Sequence, residues 1–312
     1  MLVQRGEDEA VDRFAVTPRR VGIPSSLPTI ARVGKLLEGT IRRDVTFRDR
    51  LGAASDAGYD AISLWGRDYA RARSDGHSDA EMRTMLDDHG LVVAEVEPAW
   101  WWTPGAAEVG RSLIDVDPLD VFRYGEDDLL RIAAAVGARS LNAAEVLGGT
   151  WTVDDAAEAF ATLCDRAAEH GLLVHLEWLA WSRVPDLATA WAVVRGADRP
   201  NGGLNVDTWH CARTGTTPDD LRALPADRVL AVQLSDAPLE AEENLIEATL
   251  HSRALPGAGE LDLTGYLGAL RDSGVRCPVG LEVFSDSLHD TGAHAAAGAA
   301  GAAARRVLDA AQ

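Results

Sequence analysis

Short apolar runs recur along the chain, and between them lie longer segments whose apolar positions return every three or four residues. The short runs fall at residues 30–37, 59–64, 91–95, 140–144, 172–177, 203–207, 229–234 and 279–283, and each reads as a buried strand. The longer segments, at 45–57, 79–89, 126–136, 152–170, 185–194, 218–224, 263–272 and 294–310, read as helices. Glycine marks many of the joints: Gly58, Gly90, Gly137 and Gly171 each follow a predicted helix, where a left-handed residue ends the turn. Thr152 opens its helix with Asp154 and Asp155 in the first turn, where the helix dipole favours acids.

Strand and helix alternate from end to end with no linker-like break. That pattern implies an α/β protein with a parallel sheet and helices outside it. Eight repeats favour a closed (β/α)8 TIM barrel over an open doubly wound sheet, and no Gly-x-Gly-x-x-Gly turn follows the first strand. The 312 residues suit one such barrel, which takes about 250 plus extensions. Residues 29–312 are expected to form this single domain. Residues 1–28 mix charges with Pro18, Pro24 and Pro28 and read as a loosely ordered arm or lid edge.

A hydrophobic content of 46% can fill a large core. The net charge of −19 repels phosphate backbones, so nucleic acid and anionic membranes are poor partners. Cys164, Cys211 and Cys277 make neither a metal-type spacing nor an even disulfide set, which fits a reducing cytoplasm. Glu7, Asp8 and Glu9 stand where a signal peptide needs an apolar core, and no run approaches ~18 apolar residues. A soluble, unexported, cytoplasmic protein is expected.

The candidate chemistry sits at strand ends. The fifth run ends on Glu177, the sixth on Asp207 and the eighth reaches Glu282, while Gln233 lies within the seventh. In a parallel α/β fold, polar groups at strand ends build the site. Three carboxylates meeting at one point repel, and a divalent cation is the natural way to hold them together. An oxygen-only set suits Mg2+ or Mn2+. The plainer alternative is four separate solvated strand ends. Lys35, in the first run, is either an ordinary surface lysine or points into the barrel mouth. Trp100, Trp101 and Trp102 cannot all face one core, so they read as a pocket wall or a subunit contact.

Several stretches carry a family resemblance: Leu176-Glu177-Trp178, Val206-Asp207-Thr208-Trp209-His210, Val232-Gln233-Leu234-Ser235-Asp236-Ala237-Pro238, the run from Ser252-Arg253 to Leu261-Asp262, and Leu281-Glu282-Val283-Phe284. With these the chain resembles the sugar phosphate isomerase/epimerase superfamily, the xylose isomerase-like TIM barrels. The resemblance spans roughly residues 30–310. The Gln-Leu-Ser-Asp-Ala-Pro stretch is most similar to bacterial 3-dehydroshikimate dehydratases, which carry glutamine at the third ligand position. Two positions depart from the pattern: Ser63 stands where the family usually has glutamate, and no further histidine adjoins Arg253 after His251. The resemblance implies that Glu177, Asp207, Gln233 and Glu282 bind one divalent metal. It also implies that His210 and Arg253 face the substrate, and His251, in the same loop, is a further candidate for binding the substrate. It leaves room for a homodimer.

The chemistry expected from these parts is proton abstraction next to a metal-polarised carbonyl. Glu177 or Glu282 would take the proton, and His210 would act as the acid. Arg253 would clamp a carboxylate or phosphate. Trp178 and Trp181 would wall a polyhydroxy carbonyl substrate. Isomerisation or epimerisation of a small keto-polyol is the first reading, and dehydration of the dehydroshikimate or inosose type the second. Two others share the fold: a barrel that binds without turnover, and cleavage of a C-glycosidic bond in an oxidised sugar.

Overall fold

The computed structural model describes residues 33–42 and 44–312; the expected arm at 1–28 lies outside them. Among the described residues, β1 (Val33–Leu36), β2 (Ala61–Trp65), β3 (Val92–Ala99), β4 (Ser140–Ala143), β5 (Leu173–Glu177), β6 (Gly202–Asp207), β7 (Val229–Leu234) and β8 (Val279–Leu281) form a closed barrel in chain order. Every neighbouring pair is parallel, and β1 closes on β8 through Leu36 and Leu281. The (β/α)8 expectation therefore holds.

The helices stop and start where local chemistry dictates. Gly137, at φ 69, closes the helix Glu126–Val136 in the left-handed conformation that a side chain would resist. Thr152 and Asp155 cap each other reciprocally, so Asp155 does more than face the dipole. Among the described residues, three helices of seven or more residues go beyond the sequence reading: Gly66–Ser74, Ala106–Leu113 and Leu245–His251. The first has few apolar positions to reveal it, burying little more than Tyr69 and Ala72 on its face. The last lies inside what reads as one long loop and is started by the Asn244 side chain, which accepts from the Glu247 N–H.

Leucine, valine and alanine pack between strands and helices in one continuous core. The barrel interior is different. Barrels of this type fill it with branched apolar side chains, but here it is polar from floor to mouth. Near the floor, Lys35 donates to both oxygens of Glu95, at 3.1 and 3.0 Å. The His175 Nε2 lies 3.0 Å from the same carboxylate. Its Nδ1 lies 3.0 Å from the Asn142 Oδ1, and Asn142 donates to Glu177 at 2.7 Å. These residues sit on β1, β3, β4 and β5, and strand periodicity keeps Glu95 with Glu97 and His175 with Glu177 on the inner face. Lys35 is 2% exposed, so it is an interior residue and not a surface lysine.

The three tryptophans take three directions. Trp102 is core, donating to the Ala144 carbonyl at 2.9 Å and meeting Phe160 edge-on. Trp101 packs against Gly110 and Gly125, where a Cβ would clash with its ring. Trp100 stands against Phe122 in the wall of the barrel-mouth cavity.

Candidate active site

The register brings the strand ends together. Asp207 and Gln233 are direct neighbours across β6 and β7, and Glu282 follows Leu281 of β8, whose partner is Leu234. Asp207 starts the short helix Thr208–Arg213: its Oδ1 accepts from the backbone N–H groups of Trp209 and His210 at 2.6 and 3.2 Å. That turn places His210 over the barrel mouth, with Nε2 3.7 Å from Glu177. Glu177, Asp207 and His210 each offer a ligand atom within 4.8 Å of the others, and all are buried.

One cation already serves these acids. The Arg253 Nη1 donates to Asp207 at 2.6 Å and to Glu282 at 3.1 Å. Its remaining N–H groups reach Thr249, and Nη2 lies 3.4 Å from the His210 ring. The loop carrying Arg253 is fixed from both sides: the Arg253 N–H bonds to the Phe284 carbonyl, and Ala254 pairs with Asp236. The Asp236 carboxylate in turn accepts from the Ala237, Gly257 and Leu261 N–H groups.

Of the four carboxylates gathered here, the guanidinium bonds Asp207 and Glu282 and draws Glu177 by its charge, while the cation that acts on Glu97 is Lys35. The imbalance shows in their acidity. Burial, then Asp207, pushes Glu177 up to about 8. Burial, then Glu95, pushes Glu97 up to about 7. Glu282 is raised well above the usual range by burial, against the pull of Arg253. Burial also works to raise Asp207, but Arg253 and His210 hold it low. Burial drives His210 down to about 3, so its ring is neutral near pH 7. Both amide atoms of Gln233 are buried and have no hydrogen-bond partner. An unpartnered buried amide beside surplus acid fits a divalent cation.

A stability signature follows. Glu97 and Glu177 titrate higher folded than unfolded, so their contribution is whole below pH ~4.5 and is lost as pH rises through about 7 and 8. Chelator-treated protein is expected to melt on the order of 5 °C lower at pH 9 than at pH 6. Added Mn2+ should restore more of Tm at pH 9 than at pH 6. A chelated Tm that does not fall over this range would refute the charge balance described.

Above the acids opens a cavity of about 360 Å3. Glu177, Glu282, His210, Arg253 and Trp181 line it. Trp181 stacks at a tilt on His210, with ring centres 5.4 Å apart. Trp178 is fully buried and does not reach the cavity. His251 lies elsewhere, 44% exposed and paired with Asp286. Cys211 is buried, and burial raises its thiol well above the ordinary range. Glu97 and Asn142 line the same cavity, beyond the residues that the sequence singles out. Glu97 carries a readable signal, an acid near the end of β3 like those at the ends of β5 and β6 and just past β8.

Comparison with known proteins adds to this picture. A family model described as xylose isomerase-like TIM barrel matches residues 51–309. A 3-dehydroshikimate dehydratase of Pseudomonas aeruginosa is 32% identical over 250 residues, 79% of this chain and 37% of the relative. The chain therefore spans little more than a third of that protein's length. An inosose isomerase of Bacillus velezensis is 28% identical over 131 residues, 41% of this chain and 45% of the relative. The crystal structure of an IOLI protein with a bound zinc atom superposes with a TM-score of 0.76 at 18% identity, covering 88% of this chain and 98% of that one. Among the described residues no helix is long and apolar enough to cross a membrane.

Proposed function

The chain belongs to the family of xylose isomerase-like TIM barrels, and from that premise we propose that it is a divalent-metal-dependent enzyme that removes a proton next to the carbonyl of a small hydroxy-carbonyl substrate. The observation that carries this reading is the convergence of Glu177, Asp207 and Glu282 with the unpartnered Gln233 at one end of the barrel. Glu177, Asp207, Gln233 and Glu282 would hold the ion, with Mn2+ or Mg2+ favoured by the oxygen donors. When bound, such an ion supplies Lewis-acid polarisation of a carbonyl oxygen.

The chain's own groups divide the remaining work. Asp207 is taken up by its helix-capping bonds and by Arg253, whereas Glu177 and Glu282 line the cavity. One of those two takes the proton from carbon. Asn142 orients Glu177 through its 2.7 Å bond, and Arg253 fixes Glu282. His210, neutral by burial and beside Glu177, is the second acid–base group. Trp181 and Trp100 keep bulk water from the reacting carbons.

Two fates of the abstracted proton have support. In elimination, the C–H electrons form the double bond, the neighbouring C–O bond breaks, and the leaving hydroxide takes a proton and departs as water. The dehydratase names of the relatives that cover most of the chain support this fate, and we place it first. Isomerisation or epimerisation returns the proton to carbon. The inosose isomerase match and the presence of two cavity carboxylates support it as the second reading.

One experiment separates them. Mn2+-loaded protein is incubated with 3-dehydroshikimate and, separately, with an inosose in D2O, and followed by proton NMR and protocatechuate absorbance. Deuterium entering carbon with no loss of water supports isomerisation, and appearance of the dehydrated product supports elimination. No exchange and no product on either compound would sink both fates for these substrates.

A further inference from the structure

The cavity is divided sharply in two. Its floor holds Glu97, Asn142, Glu177, His210, Arg253 and Glu282. Its walls are Trp65, Trp100, Leu119, Phe122, Ile246 and Phe284, with further aliphatic neighbours. Apart from indole N–H groups, the walls hold two polar side chains, and both are engaged. Thr249 holds Arg253. The Asp117 carboxylate accepts from the Leu119, Val121 and Phe122 N–H groups, which turns the side chains of that loop into the cavity.

A bare polyol carries hydroxyls around its whole ring. Seated here, those facing the walls would lose water and find only indole N–H groups as side-chain partners, and each hydroxyl left unpaired costs about 1–3 kcal/mol. The cavity of about 360 Å3 lies at the low end of the ~300–1,000 Å3 range that takes drug-sized ligands, so it has room beyond a single small head group. Its rim is apolar as well: Ile246 is 49% exposed and lines the mouth.

We propose that the substrate is a hydroxyketone carrying an aryl or fused-ring apolar substituent, with the hydroxyketone on the acidic floor and the substituent between Trp100, Leu119, Phe122 and Ile246. This rests on the proton-abstraction reading for the head group and adds the substituent to it.

The test uses two probes with one head group, 2-hydroxycyclohexanone and 2-hydroxy-4-phenylcyclohexanone, titrated into the Mn2+-loaded full chain. Trp65, Trp100 and Trp181 line the cavity, so tryptophan fluorescence reads binding directly. The phenyl probe is expected to bind at least about 30-fold tighter, from burial of one ring. Ile246→Ser, at a half-exposed position that does not hold the fold, is expected to cut that ratio to roughly 5-fold. Equal Kd values, or a ratio unchanged by Ile246→Ser, would overturn the proposal. Deuterium exchange at the α-carbon in D2O reports separately on the head-group chemistry. Exchange on both probes at equal Kd leaves the proton-abstraction reading standing and removes the substituent. Tight phenyl-probe binding with neither exchange nor Mn2+ dependence does the reverse. Binding of neither probe removes both.

Discussion

Glu282→Gln is expected to lower kcat/KM by about 10^3-fold on any hydroxy-carbonyl that the metal-loaded wild type turns over, within the range for loss of a positioned acid–base group. The substitution keeps shape and removes the negative charge. It also leaves Arg253 with one fewer acid, because Nη1 is shared between Asp207 and Glu282. Two measurements make the result interpretable. Metal content per chain, by mass spectrometry, separates a lost ligand from a lost base. Tm separates both from a misfolded site. If the variant keeps its metal and its rate, the catalytic role passes to Glu177 alone. If Glu177→Gln is then also silent, the barrel that binds without turnover becomes the better account.

Lys35→Met should destabilise the protein by about 3–5 kcal/mol, the usual cost of removing one partner from a buried ion pair. Lys35 and Glu95 are both at most 2% exposed, and they pair 3.0 Å apart. Without the ammonium, Glu95 keeps only His175 as a neighbour that can neutralise it. Glu95 now lies low, at about 2, because Lys35 and His175 overcome the burial that would raise it. In the variant that carboxyl should rise, so stability would improve as pH falls toward 5. The second change Glu95→Gln should recover part of the loss, because the pair is removed together. Urea unfolding of the two single variants and the double variant checks this. A single-variant loss below about 1 kcal/mol would mean that the barrel floor admits water.

How far the sequence discloses the site depends on the reach of each signal. Asp207 and Glu177 end short apolar runs and are legible because strand periodicity is local. Asn142 is not, since an asparagine inside β4 is informative only once β5 sets Glu177 beside it. Lys35 stays open between surface and barrel interior in the sequence because the partner that buries it is 60 residues away. The loop with Arg253 and His251 shows the same limit. The two are two positions apart, yet Arg253 is drawn inward by Asp207 and Glu282 while His251 turns out to Asp286. The helix Leu245–His251, which sets that divergence, is too short for periodicity to announce.

The Asp117 carboxylate has a consequence for how this protein changes over generations. One side chain fixes the shape of the wall loop through three backbone N–H groups, at Leu119, Val121 and Phe122. Backbone bonds do not depend on which side chains the loop carries. The residues facing the cavity are therefore free to be exchanged while the loop keeps its course, whereas the acids of the floor stand on strands or just past them, with Glu177 tied to Asn142 and Asp207 and Glu282 tied to Arg253. Descendants of such a barrel can drift in what they recognise without losing what they do to it, provided the aspartate stays.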